Sequence, residues 1–453
     1  MLNRRQFLGS ALATLAAPTA HAADPPPNIV FIYADDMGYG DLGCYGGSLN
    51  TPNLDRMAKE GMRFTHALSA NPVCSPSRAA LLTGRYPTRV MVPRVFFPYD
   101  TTGLPDSEQT LAQLLKTKGY KTMAVGKWHL GHLPQFLPTN RGFDHYYGIP
   151  YSNDMSPRWL MEDTKVIEEQ ATLETLTPRY TAQAVKFIES AKDGPFYLYF
   201  PHTYPHIPLG ASPKFRGKSK NGIYGDVLEE LDWSVGEVLA TLKKNNLDRN
   251  TLVFFSSDNG PWYQGSSGKL RGRKGMTWEG GVREPFIARW PGKIPAGKVC
   301  SGLTSMMDVF PTVANLVGVQ PKNALDGVNI WPLLSGQKPE LEREALLYFD
   351  NWNLQCIRLG RWKLHMTRYN SVTYSPVPAA GRKNMWLKTE ELYDVVADPD
   401  ESYDIADKHP EIVKDLLARA DRLIADFPEE ARKAYSDAKN GPRSKAPAGQ
   451  VSN

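Results

Sequence analysis

Cysteine is scarce in this chain, with only 4 residues among 453. They are widely spaced and form no CxxC pair: Cys44, Cys74, Cys300 and Cys356. This spacing excludes a disulfide-stapled scaffold and the common zinc-finger patterns. One or two of these thiols are still able to pair in an oxidising compartment, and the sequence leaves open which ones.

Long apolar runs, like-charge blocks and internal repeats are also missing. After the N-terminus no segment has the roughly 20 apolar residues of a membrane span, so we expect no integral membrane segment. The net charge of +5 has no accompanying basic block, which argues against nucleic-acid binding. With 453 residues and 41% hydrophobic composition, the chain suits one large domain plus a smaller one.

The first 23 residues have the pattern of an export signal. The string MLNRRQFLGSALATLAAPTAHAA has a charged start, a short apolar stretch and an A-x-A site ending at Ala22. The pair Arg4-Arg5 ahead of Phe-Leu resembles a twin-arginine signal. We expect residues 1–23 to be a signal peptide cleaved near Ala22, the twin-arginine export machinery to be a partner, and the location to be periplasmic or secreted. The alternative is a core helix with a chance arginine pair.

Strand and helix signals alternate along the first three quarters of the chain. Short apolar runs predict strands at 28–34, 121–125, 196–200 and 251–256. Apolar spacing with capping and stop residues predicts helices at 51–63, 107–118, 177–191 and 224–246. Such alternation predicts an α/β fold with a mostly parallel central sheet flanked by helices.

The pattern changes after about residue 340. Short strands are predicted at 345–349, 355–359, 361–366 and 392–394, followed by a helix at 411–424. We therefore expect a main domain over residues 24–339 and a smaller α+β subdomain over 340–438. The polar, Pro/Gly/Ser-containing residues 439–453 are expected to be a disordered tail.

Acidic residues follow two of the predicted strands. Asp35 and Asp36 come after the first strand, and Asp258 and Asn259 come after the fourth. Open α/β sheets bind ligands at the carboxyl ends of their strands, so these side chains are expected to meet. Paired carboxylates repel each other without a cation, and their oxygens suit Ca²⁺ or Mg²⁺. Each pair alone is equally compatible with a turn or a helix cap.

A cysteine lies in the unusual string CSPSRAALLTGR, which contains Cys74 and Arg78. Ordinary residue frequencies give a chance CxPxR match in roughly one of fifty chains of this length. A polar segment is a poor place for a buried structural cysteine. A conventional cysteine nucleophile needs a nearby base, which spacing alone does not exclude.

Basic residues occur in three further segments. Lys127 and His129 follow a strand in GKWHLG, and an extended chain would place both side chains on one face. His202 and His206 lie in a Pro-rich loop, where one could protonate a leaving group. Lys274 lies in the Gly-rich string RGRKGMTWEGGVREP and is placed to meet an anion. The alternatives are surface lysines, satisfied histidines and a solvated loop.

Together these blocks resemble the type I, formylglycine-dependent sulfatases of the alkaline phosphatase superfamily, near the arylsulfatase A and N-acetylgalactosamine-6-sulfatase branch. The first and second signatures of the family resemble CSPSRAALLTGR and GYKTMAVGKWHLG. Further blocks match ADDMGYGDLGCYG, SSDNGP, KGMTWEGGVREP and LYDVVADPDE, so the resemblance covers residues 28–427. It implies a sulfuric ester hydrolase that releases inorganic sulfate from a sulfated carbohydrate or an aryl sulfate.

The resemblance also implies a modified residue and a metal. Cys74 would be oxidised to formylglycine (3-oxoalanine) by a formylglycine-generating maturation enzyme that reads CxPxR, and the hydrate would be the nucleophile. Arg78 would hold this region. One Ca²⁺ would lie beside the hydrate oxygen of Cys74 and be bound by Asp35, Asp36, Asp258 and Asn259.

Four basic residues would surround the sulfate by the same resemblance: Lys127, His129, His206 and Lys274. His206 is preferred over His202 because the family's histidine has one residue between it and a proline, as in His206-Ile-Pro. Ser152 matches a serine near the sulfate, and Asn153 replaces the histidine found beside that serine. His206 or Lys274 would protonate the leaving oxygen, and His129 would accept the proton whose loss expels sulfate.

Two other functions are compatible with these motifs. A phosphonate or phosphate ester hydrolase of the same superfamily is the nearest alternative, since some of them also use formylglycine. The GKWHLG and KGMTWEGG blocks favour a sulfatase. A non-catalytic exported binding protein is the second alternative, and the filled catalytic positions argue against it.

Overall fold

The computed structural model describes residues 25–369 and 383–444. The predicted signal peptide and the part of the predicted tail after residue 444 lie outside these ranges. Within them the chain forms a ten-stranded sheet, a two-stranded sheet and a four-stranded sheet. Among the described residues, no helix combines the length and the apolar character of a membrane span.

The ten-stranded sheet is the centre of the main domain. Its strands are β1 (Asn28–Ala34), β2 (Met62–Phe64), β4 (Lys121–Val125), β5 (His145–Gly148), β6 (Leu160–Glu162), β7 (Lys165–Glu168), β8 (Phe196–Pro201), β9 (Thr251–Ser257), β10 (Phe286–Arg289) and β11 (Lys298–Cys300). Their order is β11-β2-β10-β9-β1-β8-β4-β5-β6-β7. The five central strands from β9 to β5 run parallel, which confirms the predicted fold class. The short strands β3 (Ala67–Leu68) and β12 (Thr304–Ser305) pair with each other.

Both faces of this sheet are covered by helices. One face packs on α2 (Cys74–Thr83), α3 (Leu111–Lys116) and α7 (Val309–Leu316), and the other on α1 (Pro52–Glu60), α4 (Leu176–Ala191) and α5 (Gly222–Lys244). Two single-turn helices are α6 (Glu279–Val282) and α8 (Trp331–Leu334). Every residue of β1 is buried, and alternate residues enter the two cores. This double burial explains why residues 29–34 of β1 form an almost continuous apolar run.

The helix predicted at residues 51–63 ends early, at Glu60. A Cβ on Gly61 would lie 2.2 Å from the carbonyl oxygen of Ala288, so glycine permits a close passage of the chain beside β10. Met62–Phe64 then pairs with both β10 and β11. The predicted cap Thr51 and stop Gly61 do flank the helix. Only the last predicted residues were wrong, because sheet pairing, which is a long-range interaction, takes them into a strand.

The helix predicted at residues 107–118 is also shorter and covers Leu111–Lys116. Thr110 forms a capping box with Gln113: the Thr110 hydroxyl accepts from the Gln113 amide, and the Gln113 side chain accepts from the Thr110 amide. Two unpaired amides of the first turn are thereby satisfied, so the helix starts at this point.

Helix α2 was not predicted from the sequence. All ten of its residues are buried, so it has no polar face and lacks the amphipathic spacing that identifies surface helices. It ends at Gly84, whose φ of 68° is the left-handed conformation that favours glycine. The missed helix matters because it contains both Cys74 and Arg78.

The C-terminal part is an antiparallel sheet with two helices, as the α+β prediction expects. The strands are β13 (Leu346–Asp350), β14 (Asn353–Leu359), β15 (Trp362–Tyr369) and β16 (Asn384–Asp394), in that order. The helices are α9 (Pro410–Ile424) and α10 (Glu429–Asn440). Helix α10 was not anticipated and includes the start of the predicted tail. The subdomain boundaries themselves stay predictions.

Apolar packing joins this sheet to the main domain. Tyr86 and Met307 of the main domain belong to the same buried cluster as Phe349 and Phe427. The Tyr86 hydroxyl accepts a hydrogen bond from the amide of Leu347 in β13. The two parts therefore share one core instead of meeting across a wet interface.

A buried ion cluster forms a second junction. The carboxylate of Glu279 accepts hydrogen bonds from Arg283, Arg358 and Lys363 at 2.7–3.1 Å. The carboxylate of Glu401 contacts Lys363 at 3.1 Å and accepts from the Glu279 amide at 2.6 Å. Burial alone would raise the pKa of Glu279, but the neighbouring cations, Arg358 foremost, hold it well below its usual value. The cluster fixes α6 against strands of the C-terminal sheet.

All four cysteines are free. Cys74, Cys300 and Cys356 are buried, and Cys44 is partly exposed. Cysteine oxidation to disulfides therefore plays no part in holding this fold together.

The ion cluster predicts a large loss of stability for Glu279→Gln. Removing one partner of a buried ion pair typically costs about 3–5 kcal/mol, because the remaining charges stay buried. Urea unfolding of both proteins measures this loss. The matched control is Asp437→Asn, whose partner Lys433 is 69% exposed and whose own side chain is 64% exposed. That change should cost less than about 0.5 kcal/mol. Equal losses for the two variants would contradict the proposed importance of the cluster.

The burial of His202 predicts that the folded protein loses stability as the pH falls. Burial lowers the pKa of its imidazole from 6.5 to about 3. In the unfolded chain the histidine binds a proton as the pH falls below about 6.5, while the folded chain does not until about pH 3. The stability contribution of the neutral ring is therefore complete above pH 6.5 and is lost as the pH falls toward 3.

Denaturant unfolding between pH 4 and pH 6 tests this dependence. One such histidine contributes a slope of up to about 1.4 kcal/mol per pH unit, so His202→Gln should flatten the profile by that order. Parallel profiles for the two proteins would show that His202 does not titrate in this way.

Candidate active site

The acidic residues after β1 and β9 meet at one edge of the sheet. These strands pair in register up to Ala34 and Ser257, so the residues that follow are neighbours. The backbone amide of Asp36 donates to an Asp258 carboxylate oxygen at 3.2 Å, and the side-chain amide of Asn259 donates to Asp36 Oδ1 at 2.7 Å. Asp36 has a φ of 67°, an uncommon conformation for a non-glycine residue, and the surrounding contacts hold it there.

Arg78 on α2 reaches the same edge and is fully buried. Its guanidinium donates to Asp258 Oδ2 through Nε at 3.0 Å and Nη2 at 2.8 Å, and to the carbonyl oxygen of Lys127 at 2.9 Å. Asp35 Oδ1 lies 3.6 Å from Nη2. One side chain therefore ties α2, β9 and the segment after β4 together.

Cys74 is the first residue of α2, and its Sγ lies 3.5 Å from Asp35 Oδ1. Burial raises the pKa of the thiol well above its usual value, despite the positive charges of Lys127 and Lys274. A thiolate is therefore disfavoured here, and the thiolate is the nucleophilic form of cysteine. This environment argues against a conventional cysteine nucleophile.

Two lysines each approach one of the paired aspartates. Lys127 Nζ lies 2.6 Å from Asp35 Oδ2 and donates to Ser152 Oγ at 3.2 Å. Lys274 Nζ lies 2.8 Å from Asp36 Oδ2. Burial by itself would raise the pKa of Asp35, but nearby cations, Lys127 first among them, hold it well below its usual value.

His129 does not continue an extended chain, as its prediction supposed. Its φ of 62° turns the backbone, and the ring bonds to the carbonyl oxygen of Phe96 through Nε2 at 2.8 Å. A carbonyl only accepts, so Nε2 carries the proton and Nδ1 holds a lone pair. Nδ1 is buried and has no hydrogen-bond partner among the described residues. Burial, reinforced by the charges of Lys127 and Arg78, lowers the pKa of His129 well below 6.5, so the ring is neutral.

The structure brings His206 into the cluster and keeps His202 away from it. His206 Nε2 lies 3.7 Å from Asp36 Oδ2, and Nδ1 bonds to the carbonyl oxygen of Ile207 at 2.5 Å. His202 packs on Phe200 with ring centroids 4.2 Å apart, and its Nε2 lies 3.5 Å from the Ser234 hydroxyl of α5.

Asn153 has a structural role that the sequence did not reveal. Its side-chain amide donates to the carbonyl oxygens of His206 at 2.9 Å and Pro208 at 3.1 Å. It therefore links the loop of Ser152 to the loop of His206. The neighbouring Ser152 stays beside Lys127. No local pattern in the sequence indicates this contact between distant loops.

Close glycine contacts position the Lys274 loop. The amide of Gly275 donates to the carbonyl oxygen of Pro72 at 2.8 Å, two residues before Cys74.

The amide of Gly260 donates to the carbonyl oxygen of Gly281 at 3.0 Å. A Cβ on Gly260 would lie 2.1 Å from the carbonyl oxygen of Gly280. Helix α6, held by the ion cluster, thus packs directly against the segment of Asp258 and Asn259. The glycines of the SSDNGP and KGMTWEGGVREP blocks are the sequence signal for this approach.

The donor set fits a hard divalent cation. Ligand atoms of Asp35, Asp36, Cys74 and His206 all lie within 4.8 Å of one another. Asn259 Oδ1 is buried with no hydrogen-bond partner among the described residues, an arrangement that a metal ion would satisfy. Burial and the negative charge of Asp35 raise the pKa of Asp258 to about 7, so a cation would relieve real repulsion. Carboxylate and amide oxygens suit Ca²⁺, whereas the sulfur of an unmodified Cys74 does not.

Comparisons with known proteins agree with this geometry. A family model described as Sulfatase matches residues 27–319, and one described as N-sulphoglucosamine sulphohydrolase, C-terminal, matches residues 272–426. The chain is 43% identical over 392 residues to N-acetylgalactosamine-6-sulfatase of Rattus norvegicus, covering 79% of this chain and 74% of that protein. It is 39% identical over 457 residues to arylsulfatase A of Homo sapiens, covering 90% and 89%. The PsFucS1 sulfatase from Pseudoalteromonas sp. aligns with a TM-score of 0.80 and 29% identity, covering 90% of this chain and 91% of that structure.

The fold and the matches define a hydrolase of the alkaline phosphatase superfamily. Within it, the chain belongs to the sulfatase family: it is a type I sulfatase, an enzyme that hydrolyses sulfuric esters.

The glycine contact predicts that Gly260→Ala weakens metal binding. The added methyl displaces the segment that carries Asp258 and Asn259, and changes just outside a metal's ligands typically cost about 10–100-fold in affinity. Calorimetric titration with Ca²⁺ measures this loss. The matched control is Gly194→Ala, because its Cβ would have no atom within 4 Å. Unchanged affinity in the folded Gly260 variant would contradict this account of the contact.

Proposed function

We propose that this sulfatase releases inorganic sulfate from a sulfated carbohydrate, with formylglycine formed at Cys74 and one bound Ca²⁺. The observation that carries the proposal is the position of Cys74. It begins a buried helix within its CxPxR motif, beside Asp35 and between the cations Lys127 and Lys274. The relative named N-acetylgalactosamine-6-sulfatase supports a sugar substrate.

The charges of the site suit a sulfate ester. Three basic side chains pair there with three carboxylates, so their charges cancel. One added divalent cation would therefore leave a net positive pocket for an anion. The pairs are Arg78 with Asp258, Lys127 with Asp35, and Lys274 with Asp36. The N-terminus of α2 adds the positive end of a helix dipole at Cys74. Bound Ca²⁺ would act as a Lewis acid that polarises sulfate oxygens.

The proposed ligands are Asp35, Asp36, Asp258 and Asn259. Ligand atoms of Asp35 and Asp36 lie within 4.8 Å of each other, and Asp36 is hydrogen-bonded to Asp258 and Asn259. The Asn259 Oδ1, buried with no hydrogen-bond partner among the described residues, would complete the set. Lys127 and Lys274 would shift part of their hydrogen bonding from the aspartates to sulfate oxygens. Ser152 keeps Lys127 oriented through its 3.2 Å hydrogen bond.

Formylglycine would supply a hydrated aldehyde, in which one hydroxyl attacks sulfur and the other permits sulfate to leave without attack by water. We assign to His129 the role of the base that accepts the proton of the second hydroxyl. It is neutral, its tautomer is fixed by Phe96, and its Nδ1 lone pair is unused. His206 or Lys274 supplies the proton to the departing alcohol.

Burial constrains when Cys74 is modified. The residue is 2% exposed and the whole of α2 is buried, so a maturation enzyme has no access to the motif in the folded protein. A formylglycine-generating enzyme must therefore act before α2 packs. We infer modification in the cytoplasm, folding, and then export of the folded enzyme by the twin-arginine machinery to the periplasm or the medium.

The decisive experiment is sulfate release from a panel of sulfated sugars and an aryl sulfate. The protein is co-expressed with a formylglycine-generating enzyme and supplied with Ca²⁺, and mass spectrometry verifies the Cys74 peptide. We expect release from one class of sugar. Hydrolysis of phosphonate or phosphate esters, without any sulfate release, would overturn the proposal in favour of the neighbouring activity.

Cys74→Ser separates this mechanism from a conventional nucleophile. A serine ester lacks the second hydroxyl, so we expect either a covalently trapped sulfate or turnover reduced by roughly 10³-fold or more. Intact-protein mass spectrometry after incubation with an aryl sulfate detects the trapped sulfate. Normal turnover by the purified variant would rule out the hydrate chemistry.

A further inference from the structure

Two solvent-exposed aromatic rings are stacked on each other at the edge of the active site. Phe97 and Tyr99 are 36% and 77% exposed, with ring centroids 5.4 Å apart and planes within 4° of parallel. Such a pair presents a flat, largely apolar ring face to a ligand in solvent. The sequence did not single these residues out, because isolated aromatics in a loop form no pattern.

The loop that carries the rings is preorganised. The amide of Asp100 donates to the carbonyl oxygen of Phe97 at 2.9 Å, which closes a turn with Pro98 at its second position. The Asp100 carboxylate accepts from the Phe97 amide at 2.7 Å and from the guanidinium of Arg94 at 2.7 and 2.8 Å. The rings are thus fixed before a ligand arrives, which reduces the entropy lost on binding.

The same loop is bonded directly to the proposed catalytic residues. The amide of Phe96 donates to the hydroxyl of Ser75, the neighbour of Cys74, at 3.1 Å. Its carbonyl oxygen accepts from His129 Nε2 at 2.8 Å. Phe96 is buried, and the next residue, Phe97, begins the exposed pair. The stacked rings are therefore continuous with the active site.

A second group of rings packs beside His129. The buried Tyr151 contacts His129 edge-on with centroids 5.9 Å apart, and the partly buried His132 packs on Tyr151 at 5.3 Å and on Trp159 at 6.0 Å. The Tyr151 hydroxyl and His132 Nδ1 are 2.5 Å apart. This aromatic strip runs from His129, the residue proposed to act as base, to the partly exposed Trp159.

Sugar rings have the chemistry that fits such a strip. A pyranose presents C–H groups on its faces and hydroxyls at its rim, and a flat aromatic ring packs against the C–H face. Arg94, whose side chain is 45% exposed, holds Asp100 of this loop through two hydrogen bonds.

We propose that Phe97 and Tyr99 form a platform for the sugar unit next to the sulfated one, so that the substrate is an oligosaccharide. This inference rests on the proposed sulfatase activity toward carbohydrates. Tyr99 is three residues beyond the buried Phe96 and is the more exposed of the two rings, which places it outside the pocket that holds the sulfate. We therefore expect a single sulfated sugar not to contact it.

The test compares three substrates with Tyr99→Ala and the Phe97→Ala/Tyr99→Ala double variant. These are a sulfated tetrasaccharide, the corresponding sulfated monosaccharide and an aryl sulfate. We expect kcat/KM for the tetrasaccharide to fall by about 10-fold in the double variant, mainly through KM, because two ring contacts are lost. Activity on the two small substrates should stay unchanged, and Tyr99→Trp should restore the tetrasaccharide activity.

The matched control is Tyr403→Ala, which removes another exposed tyrosine, 74% accessible, from the C-terminal part. It should leave all three activities unchanged. Equal losses on all three substrates in the double variant would show that the loop only supports the active site. Unchanged tetrasaccharide activity would show that the rings bind no sugar.

A binding measurement keeps this inference separate from the proposed function. Calorimetry with the unmodified protein and the same tetrasaccharide reports binding without turnover. Binding that is weakened in the double variant supports the platform even where no sulfate is released, in which case only the proposed activity fails. Equal binding by the two proteins overturns the platform.

Discussion

The active site depends on the burial of Arg78 against Asp258 and Asp35. A carboxylate buried without a partner is costly, and the two aspartate-bearing strands place several within a few ångströms. Arg78 neutralises part of that charge and also holds the backbone after β4 through its bond to Lys127. Because Arg78 belongs to the same helix as Cys74, this interaction also fixes the reactive residue beside the acidic cluster.

The fold determines the geometry of the contact between Arg78 and the two aspartates. Parallel strands end at one edge of the sheet, so polar residues that are far apart in sequence become neighbours there. Helix α2 is buried along its whole length, which holds Cys74 away from solvent beside the acidic cluster. The C-terminal sheet contributes Arg358 and Lys363, which bind Glu279 and so hold α6 in place. The glycines of α6 in turn pack on the segment of Asp258 and Asn259.

Much of this architecture was predictable where the signal is local. The strand at 28–34 has the predicted bounds because a run of mostly apolar residues, buried on both faces, follows Asn28. The helix of residues 51–63 has the cap and stop that its sequence indicated, but its last two predicted residues pair with β10 instead. Local signals failed at α2, which has no exposed polar face. In both places the missed feature depends on contacts with distant parts of the chain.

The sequence by itself determined the family, the parallel α/β fold and the motifs that carry chemistry. Short local strings identify the family and the motifs, and strand-length apolar runs indicate the fold. The sequence also favoured His206 over His202, but only the tertiary structure decided their contacts, with His206 beside Asp36 and His202 packed on Phe200. It also decided which nitrogen of His129 is free and that the rings of Phe97 and Tyr99 are stacked in solvent. These features depend on packing between segments that no local pattern relates, so they arise only when the chain is folded.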